Sequence, residues 1–279
     1  MKNDPLGDRM KKFYENRTKQ YLPRRTYTMI RIDGKAFHSY TRGLKRPFDD
    51  GLMNDMDETA IYLCKNIQGA KLAYVQSDEI SILLTDFESF ATDAWFDGNI
   101  QKIVSVSASM AAAKFNQLRW IRFVNSKYND TTEKVEWLWF MAAAKLKLGE
   151  FDARTFTIPS RTEVSNYFVW RQQDATRNSI SSLAQSLYSP KDLMGCGSNK
   201  LQEMCHEKGT NWNDFDPKYK RGRLILKEVF DTESDWKTID TVDNPLIDET
   251  GVFRSHWVMY EPPVFTEDKE FLTKIIPVL

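Results

Sequence analysis

KLAYVQSDEISILLTD, residues 71–86, sets two apolar, β-branched runs on either side of a polar corner, Ser77-Asp78-Glu79. The pattern predicts two strands joined as a hairpin with its acids at the tip. Adjacent carboxylates at such a corner repel one another, and the placement is costly unless solvent or a cation screens them. The neighbouring elements decide what else reaches that tip.

Upstream, TYTMIRID, residues 26–33, reads as a first strand ending in Asp33-Gly34. Beyond a loop with Gly43 and Pro47, residues 49–69 place Leu52, Met56, Ala60 and Leu63 at helical spacing and stop at Gly69. Downstream, residues 100–118 are rich in Ser and Ala, with Ile103, Val106 and Met110 on successive turns, which suits a helix pressed against a sheet. EFDARTFTI, residues 150–158, supplies a further strand, and residues 119–150 between them are read as an insertion. The order is βαββαβ, which predicts an α+β, ferredoxin-like domain: an antiparallel sheet with helices on one face. In that topology the first and third strands are central neighbours, so Asp33 comes beside Asp78 and Glu79.

Residues 5–20 predict an N-terminal helix, with Leu6, Met10, Phe13 and Tyr14 packed on the domain that follows. Ser160-Arg-Thr-Glu163 is a capping-box pattern opening a long helix to about Tyr188, with Val164, Phe168, Ala175, Leu183 and Leu187 on its buried face. A second helical stretch at 198–208 and late strands in RLILKEVF and GVFRSHWVMY follow. The division expected is a first region over 1–160, with the N-terminal helix and the insertion, then a mixed α+β extension over 160–279 that packs on it.

Lys+Arg and Asp+Glu both number 39, so a net charge of zero leaves any polyanion to local patches. No stretch reaches the roughly 20 apolar residues of a membrane span. The opening MKNDPLGDRMKK has no apolar run of a signal peptide, and three scattered cysteines suit a reducing cytoplasm. Cys196, Cys205 and His206 match no standard zinc spacing, so no zinc is expected. Trp120, Trp137 and Trp139 read as core or subunit interface.

Hard oxygen ligands such as Asp33 and Asp78 suit magnesium, which keeps waters and is completed by substrate phosphates; the competing reading is turn-forming or solvated acids at strand ends. Gly34 lets the backbone approach a phosphate, and Lys45 and Arg46 follow as counter-charges.

RIDGKAFH (31–38), QSDEIS (76–81), WRQQDATRNS (170–179) and YKRG (219–222), in that order, resemble the tRNA-histidine guanylyltransferase family. They are most similar to its guanylyltransferase-like branch of 3′-to-5′ polymerases, over roughly residues 5–230. The resemblance implies a palm enzyme, a nucleotidyltransferase that adds nucleotides to the 5′ end of tRNA, with residues 1–160 as the palm-like catalytic region and 160–279 completing the active site and RNA surface. The 5′-monophosphate is activated by a nucleoside triphosphate, ATP or GTP, and attacked by the 3′-hydroxyl of the incoming nucleotide with two Mg2+ ions. It implies Asp33 and Asp78 as metal ligands with the Gly34 carbonyl, and Glu79 as a catalytic acid beside them. The backbone amides of Lys35, Ala36, Phe37 and His38 would cradle the triphosphate. Ser77, Lys45, Arg46 and Asn178 would face the activating nucleotide or the 5′ phosphate.

Where eukaryotic histidine-tRNA enzymes carry HINNLYN after the WRQxD block, this chain reads Thr176-Arg-Asn-Ser-Ile-Ser181, which keeps Asn178 but lacks the His and the Tyr. The departure favours templated repair of 5′-truncated tRNA over addition of one obligatory guanylate to tRNA(His). RNA contact is expected from Arg171 and Arg177, against a solvated Arg–Asp face, and from Lys218, Lys220 and Arg221, against an ordinary basic surface run. The family also implies a homotetramer. The other functions open to this sequence are a palm-domain nucleotide cyclase or synthase, and a tRNA-binding module without catalysis.

Overall fold

The computed structural model describes residues 4–127, 147–231, 237–239 and 253–279, and the statements below concern these. Strands β1 (Tyr27–Gly34), β2 (Ala70–Gln76), β3 (Glu79–Leu84) and β4 (Phe151–Ile158) lie in the order β4-β1-β3-β2, every pair antiparallel. Between them run the one-turn α2 (Phe37–Tyr40), α3 (Asp50–Asn66) and α4 (Ile100–Lys127). This is the βαββαβ order expected, with β1 and β3 as central neighbours.

The central strands are apolar on both sides, so alternation divides them between two cores. Ile30, Ile32, Val75, Ile80 and Ile82 meet Met56, Ala60 and Leu63 of α3 and Ile103, Ala111 and Phe115 of α4. On the other face Met29, Leu72, Tyr74 and Leu83 meet Val164, Phe168 and Ala175 of α5 (Arg161–Leu187), and Leu272 and Ile275 of α8 (Lys269–Ile275). The helices of the βαββαβ unit thus cover one face, as expected, and α5 covers the second, which makes three layers. Helix α5 begins where the capping box placed it: the Ser160 hydroxyl accepts the Glu163 amide at 3.3 Å.

After α6 (Ser198–Glu207) and the short α7 (Pro217–Lys220), β5 (Arg223–Asp231) pairs antiparallel with β2, so the 160–279 segment extends the same sheet. Strands β6 (Lys237–Ile239) and β7 (Phe253–Tyr260) pair with β5. Residues 119–127 prolong α4, so the insertion expected from 119 begins later; Trp120 is exposed rather than buried, and Trp137 and Trp139 lie outside the described residues. Helix α1 (Pro5–Phe13) forms, but the expectation that it packs on the domain is overturned. It buries no side chain, and Leu6, Met10, Phe13 and Tyr14 are exposed.

Candidate active site

The hairpin between β2 and β3 turns at Ser77 and Asp78, with Ser77 in the left-handed region at φ 47°. Asp33, at the end of β1, is the register partner of Glu79 at the start of β3. The Gly34 amide donates to the Asp78 carbonyl at 3.1 Å, which ties the two strand ends together. Gly34 is required here because an added Cβ would run into the Phe37 ring. Acids far apart in sequence are thereby brought to one end of the sheet.

They do not act as one cluster. Glu79 is buried, and its Oε2 lies 3.1 Å from Arg31 Nε and 3.0 Å from Arg171 Nη1, while its Oε1 accepts from the Ser81 hydroxyl. Burial pushes the Glu79 carboxyl above its ordinary pKa, and the Arg171 and Arg31 guanidiniums work against that rise. Its side chain is thus tied to two arginines at the edge of the cleft. Asp78 is different: its carboxylate accepts from the Ser77 hydroxyl at 2.9 Å. Burial raises its pKa, the Ser77 bond opposes this, and the charge of Asp33 adds to it. Asp33 itself accepts from Arg31 Nη2 at 3.1 Å.

Asp33 and Asp78 open into a cleft of about 390 Å³ whose other wall is α5, contributing Asp174, Asn178, Ser181, Ser182 and Gln185. Among the described residues no group of three or more His, Cys, Asp or Glu side chains could hold an ion by itself. Two carboxylates facing one cleft fit a magnesium ion completed by waters and substrate phosphates, and a cation would offset the burial and, to a lesser extent, the Asp33 charge that raise Asp78.

A second pocket joins the cleft through Gln76, Ser77, Asn178 and Ser182 and continues to Pro47, Phe48, Tyr219 and Arg223. The Phe48 and Tyr219 rings stack there, 4.9 Å apart. Lys45 and Arg46 are exposed in the loop before Pro47 and line neither pocket.

Around α2, the Lys35 amide donates to the Glu150 carbonyl at 2.8 Å and the Lys35 ammonium pairs with Glu150 at 2.7 Å. The expectation of four free amides is corrected to three, since those of Ala36, Phe37 and His38 alone have no acceptor among the described residues. Ala36 holds φ 54°, which turns the chain into α2. His38 is exposed.

Two expected RNA contacts are corrected. Arg171 is 3% exposed and bonded to Glu79 and Asp174; Lys220 is buried, with its ammonium on the Asn213 carbonyl at 2.7 Å. Lys218 pairs with Asp50 and lines the second pocket. Arg177 is 52% exposed, paired with Asp174, and Arg221 is half-buried. Burial raises the pKa of Asp174, but Arg171, Arg177 and Gln76 together hold it below its ordinary value.

Sequence reading missed Arg31, Gln76, Ser181, Ser182 and Gln185. Arg31 precedes Asp33 by the strand period, and the α5 residues follow Asn178 at helical spacing, so both periodicities carried the signal.

An antiparallel βαββαβ sheet with one carboxylate at the end of β1 and one at the neighbouring hairpin tip, both facing a polar cleft, is the palm arrangement of nucleotidyltransferases. Residues 7–159, more than half the chain, match the family model described as Thg1: tRNAHis guanylyltransferase. The chain belongs to that family, whose members are nucleotidyltransferases. A bacterial tRNA(His) guanylyltransferase (Thg1)-like protein, solved in complex with ATP, is 40% identical over 97% of this chain and 98% of its own, with a TM-score of 0.74. A bacterial Thg1-like protein solved with GTP is 39% identical over 97% and 98%, with a TM-score of 0.70. The tRNA(His) guanylyltransferase of Debaryomyces hansenii is 26% identical over 73% of this chain and 74% of its own.

Proposed function

We propose that this enzyme adds nucleotides in the 3′-to-5′ direction to the 5′ end of tRNA, repairing truncated ends against the opposite strand. The observation that carries the reading is the meeting of Asp33 and Asp78 at the mouth of a cleft walled by α5. Asp33 and Asp78 would hold Mg2+, with the Gly34 carbonyl assisting. Bound there, the ion would supply charge neutralisation for the phosphates and a lowered pKa for the attacking 3′-hydroxyl.

The chain's own groups orient the reactants. The free amides of Ala36, Phe37 and His38 offer donors to a triphosphate, as ordered backbone N–H groups do to anions. Ser77 and Asn178 border both pockets and would position the activating nucleotide between them, ATP or GTP, as in the bacterial relatives. The Phe48–Tyr219 stack offers an aromatic wall for its base. Of the basic residues expected to contact RNA, Arg177 and Arg221 remain open enough to meet its phosphates. A cytoplasmic homotetramer is part of this reading, and the exposed apolar stripe of α1 supports the assembly.

A second reading, addition of a single guanylate to tRNA(His), is favoured by the family match and by the relative from Debaryomyces hansenii. The absence of the His and Tyr from the stretch after the WRQQD block, where Thr176 to Ser181 stand, favours repair. The test supplies a 5′-monophosphorylated tRNA lacking its first nucleotide with Mg2+, ATP and each nucleotide in turn. Extension by the complementary nucleotide, lost in Asp78→Ala, supports repair. Guanylate addition to intact tRNA(His) alone supports the second reading. An Asp78→Ala protein as active as wild type defeats both.

A further inference from the structure

Trp170 stands on α5 beside Arg171 and is 47% exposed. A single exposed apolar side chain needs no explanation. This one, however, is held in place. The Arg171 guanidinium lies 3.8 Å from the ring centroid, and Tyr167 packs edge-on to it, with centroids 5.8 Å apart at 69°. Both supports are rooted in the catalytic hairpin: Arg171 is bonded to Glu79, and the Tyr167 hydroxyl lies 2.8 Å from that of Ser81. The indole is therefore oriented by buried groups while nearly half of it faces solvent, so little side-chain freedom remains to be lost on binding.

Exposed positive charge shares its helix and the sheet face that helix covers. Arg177 follows Trp170 by two helical turns on the same stripe and is 52% exposed. Arg154, the register partner of Arg31, shares the α5 face of the sheet; it is 54% exposed, and its Nη2 is 4.0 Å from Asp33. Trp170 lines neither nucleotide pocket, so a base on it would not compete with the triphosphate. A fixed aromatic surface on the helix that walls the cleft, with one exposed guanidinium two turns along that helix and another on the sheet face it covers, matches the chemistry of a nucleic-acid end: the base stacks and flanking phosphates pair with arginine.

We propose that Trp170 is a stacking platform for the nucleobase at the 5′ end of the RNA substrate, with Arg154 and Arg177 steadying the adjacent phosphates. This rests on the nucleotide-addition reading above. The bland role, a cover over the Arg171–Glu79 pair, makes a different prediction, because any apolar side chain of similar bulk would fill it.

The test compares Trp170→Phe and Trp170→Leu in the full chain. Binding of a 5′-monophosphorylated tRNA transcript lacking its first nucleotide is measured without nucleotide, and the KM for ATP is measured separately. Trp170→Leu keeps a cover but lacks a π face, so RNA affinity is expected to fall about tenfold while the ATP KM holds. Trp170→Phe is expected to retain most of the affinity. Unchanged RNA affinity in Trp170→Leu, an equal loss in both variants, or an ATP KM that rises in step overturns the platform. Wild-type protein that binds this RNA but adds no nucleotide would defeat the addition reading alone, because the binding comparison needs no turnover.

Discussion

The side chain around which the site is organised is Arg171, a residue whose role at the sequence level looked like RNA contact. In the fold it lies 3% exposed between Glu79 and Asp174, so its charge is spent inside the protein. Removing one partner of a buried ion pair leaves an uncompensated charge, which costs about 3–5 kcal/mol. Arg171→Met is therefore expected to lower unfolding free energy in urea by about that amount; a loss within error of zero would show that Arg31 alone satisfies Glu79. Asp33, Asp78 and Glu79 were legible because each interrupts or ends an apolar strand. The split between the open pair and the arginine-bound Glu79 was not, since it depends on which guanidinium the fold aims at which carboxylate. Lys220 was misread for the same reason: a run of cations names the charges but not which of them turns inward.

The β2–β3 hairpin, α3 and the start of α5 were each readable from periodicity and capping, because those signals are local. Helix α1 shows the boundary of that logic: its apolar stripe specified a helix but not what covers it, and in the single chain nothing described does. RLILKEVF marked β5 in the same way, but the short helix α7 before it was not read. Gly222 holds φ +72° between the two, and an added Cβ would come within 2.8 Å of the Val75 carbonyl and against the fully buried Tyr74 ring. The left-handed backbone costs an L-residue about 1–2 kcal/mol before any clash is counted. Gly222→Ala is expected to lose more than about 1 kcal/mol in urea unfolding, with β5 loosened from β2. A variant as stable as wild type would mean that this junction relaxes freely.

Across the whole molecule the charges cancel, so affinity for RNA must come from a few exposed cations rather than a basic surface. Each phosphate neutralised steepens the decline of log affinity with log salt by roughly 0.7–0.9. A shallow slope is expected, and Arg154→Ala and Arg177→Ala should each reduce it by roughly one unit. A steep slope unaffected by either variant would place the RNA elsewhere on the protein. The sheet also runs without a break from β4 to β5, so the segment from 160 to 279 supplies both a strand and the helix that walls the cleft. By itself the sequence determined the βαββαβ order and the meeting of Asp33 with the Asp78-Glu79 tip, because strand alternation, helix caps and topology rules act over short spans or follow from element order. Only the tertiary structure decided that α5 closes the second face, that Glu79 is taken up by Arg31 and Arg171, and that Trp170 stays open to solvent. Those outcomes depend on which surfaces meet across layers distant in the chain, and no local pattern encodes that distance.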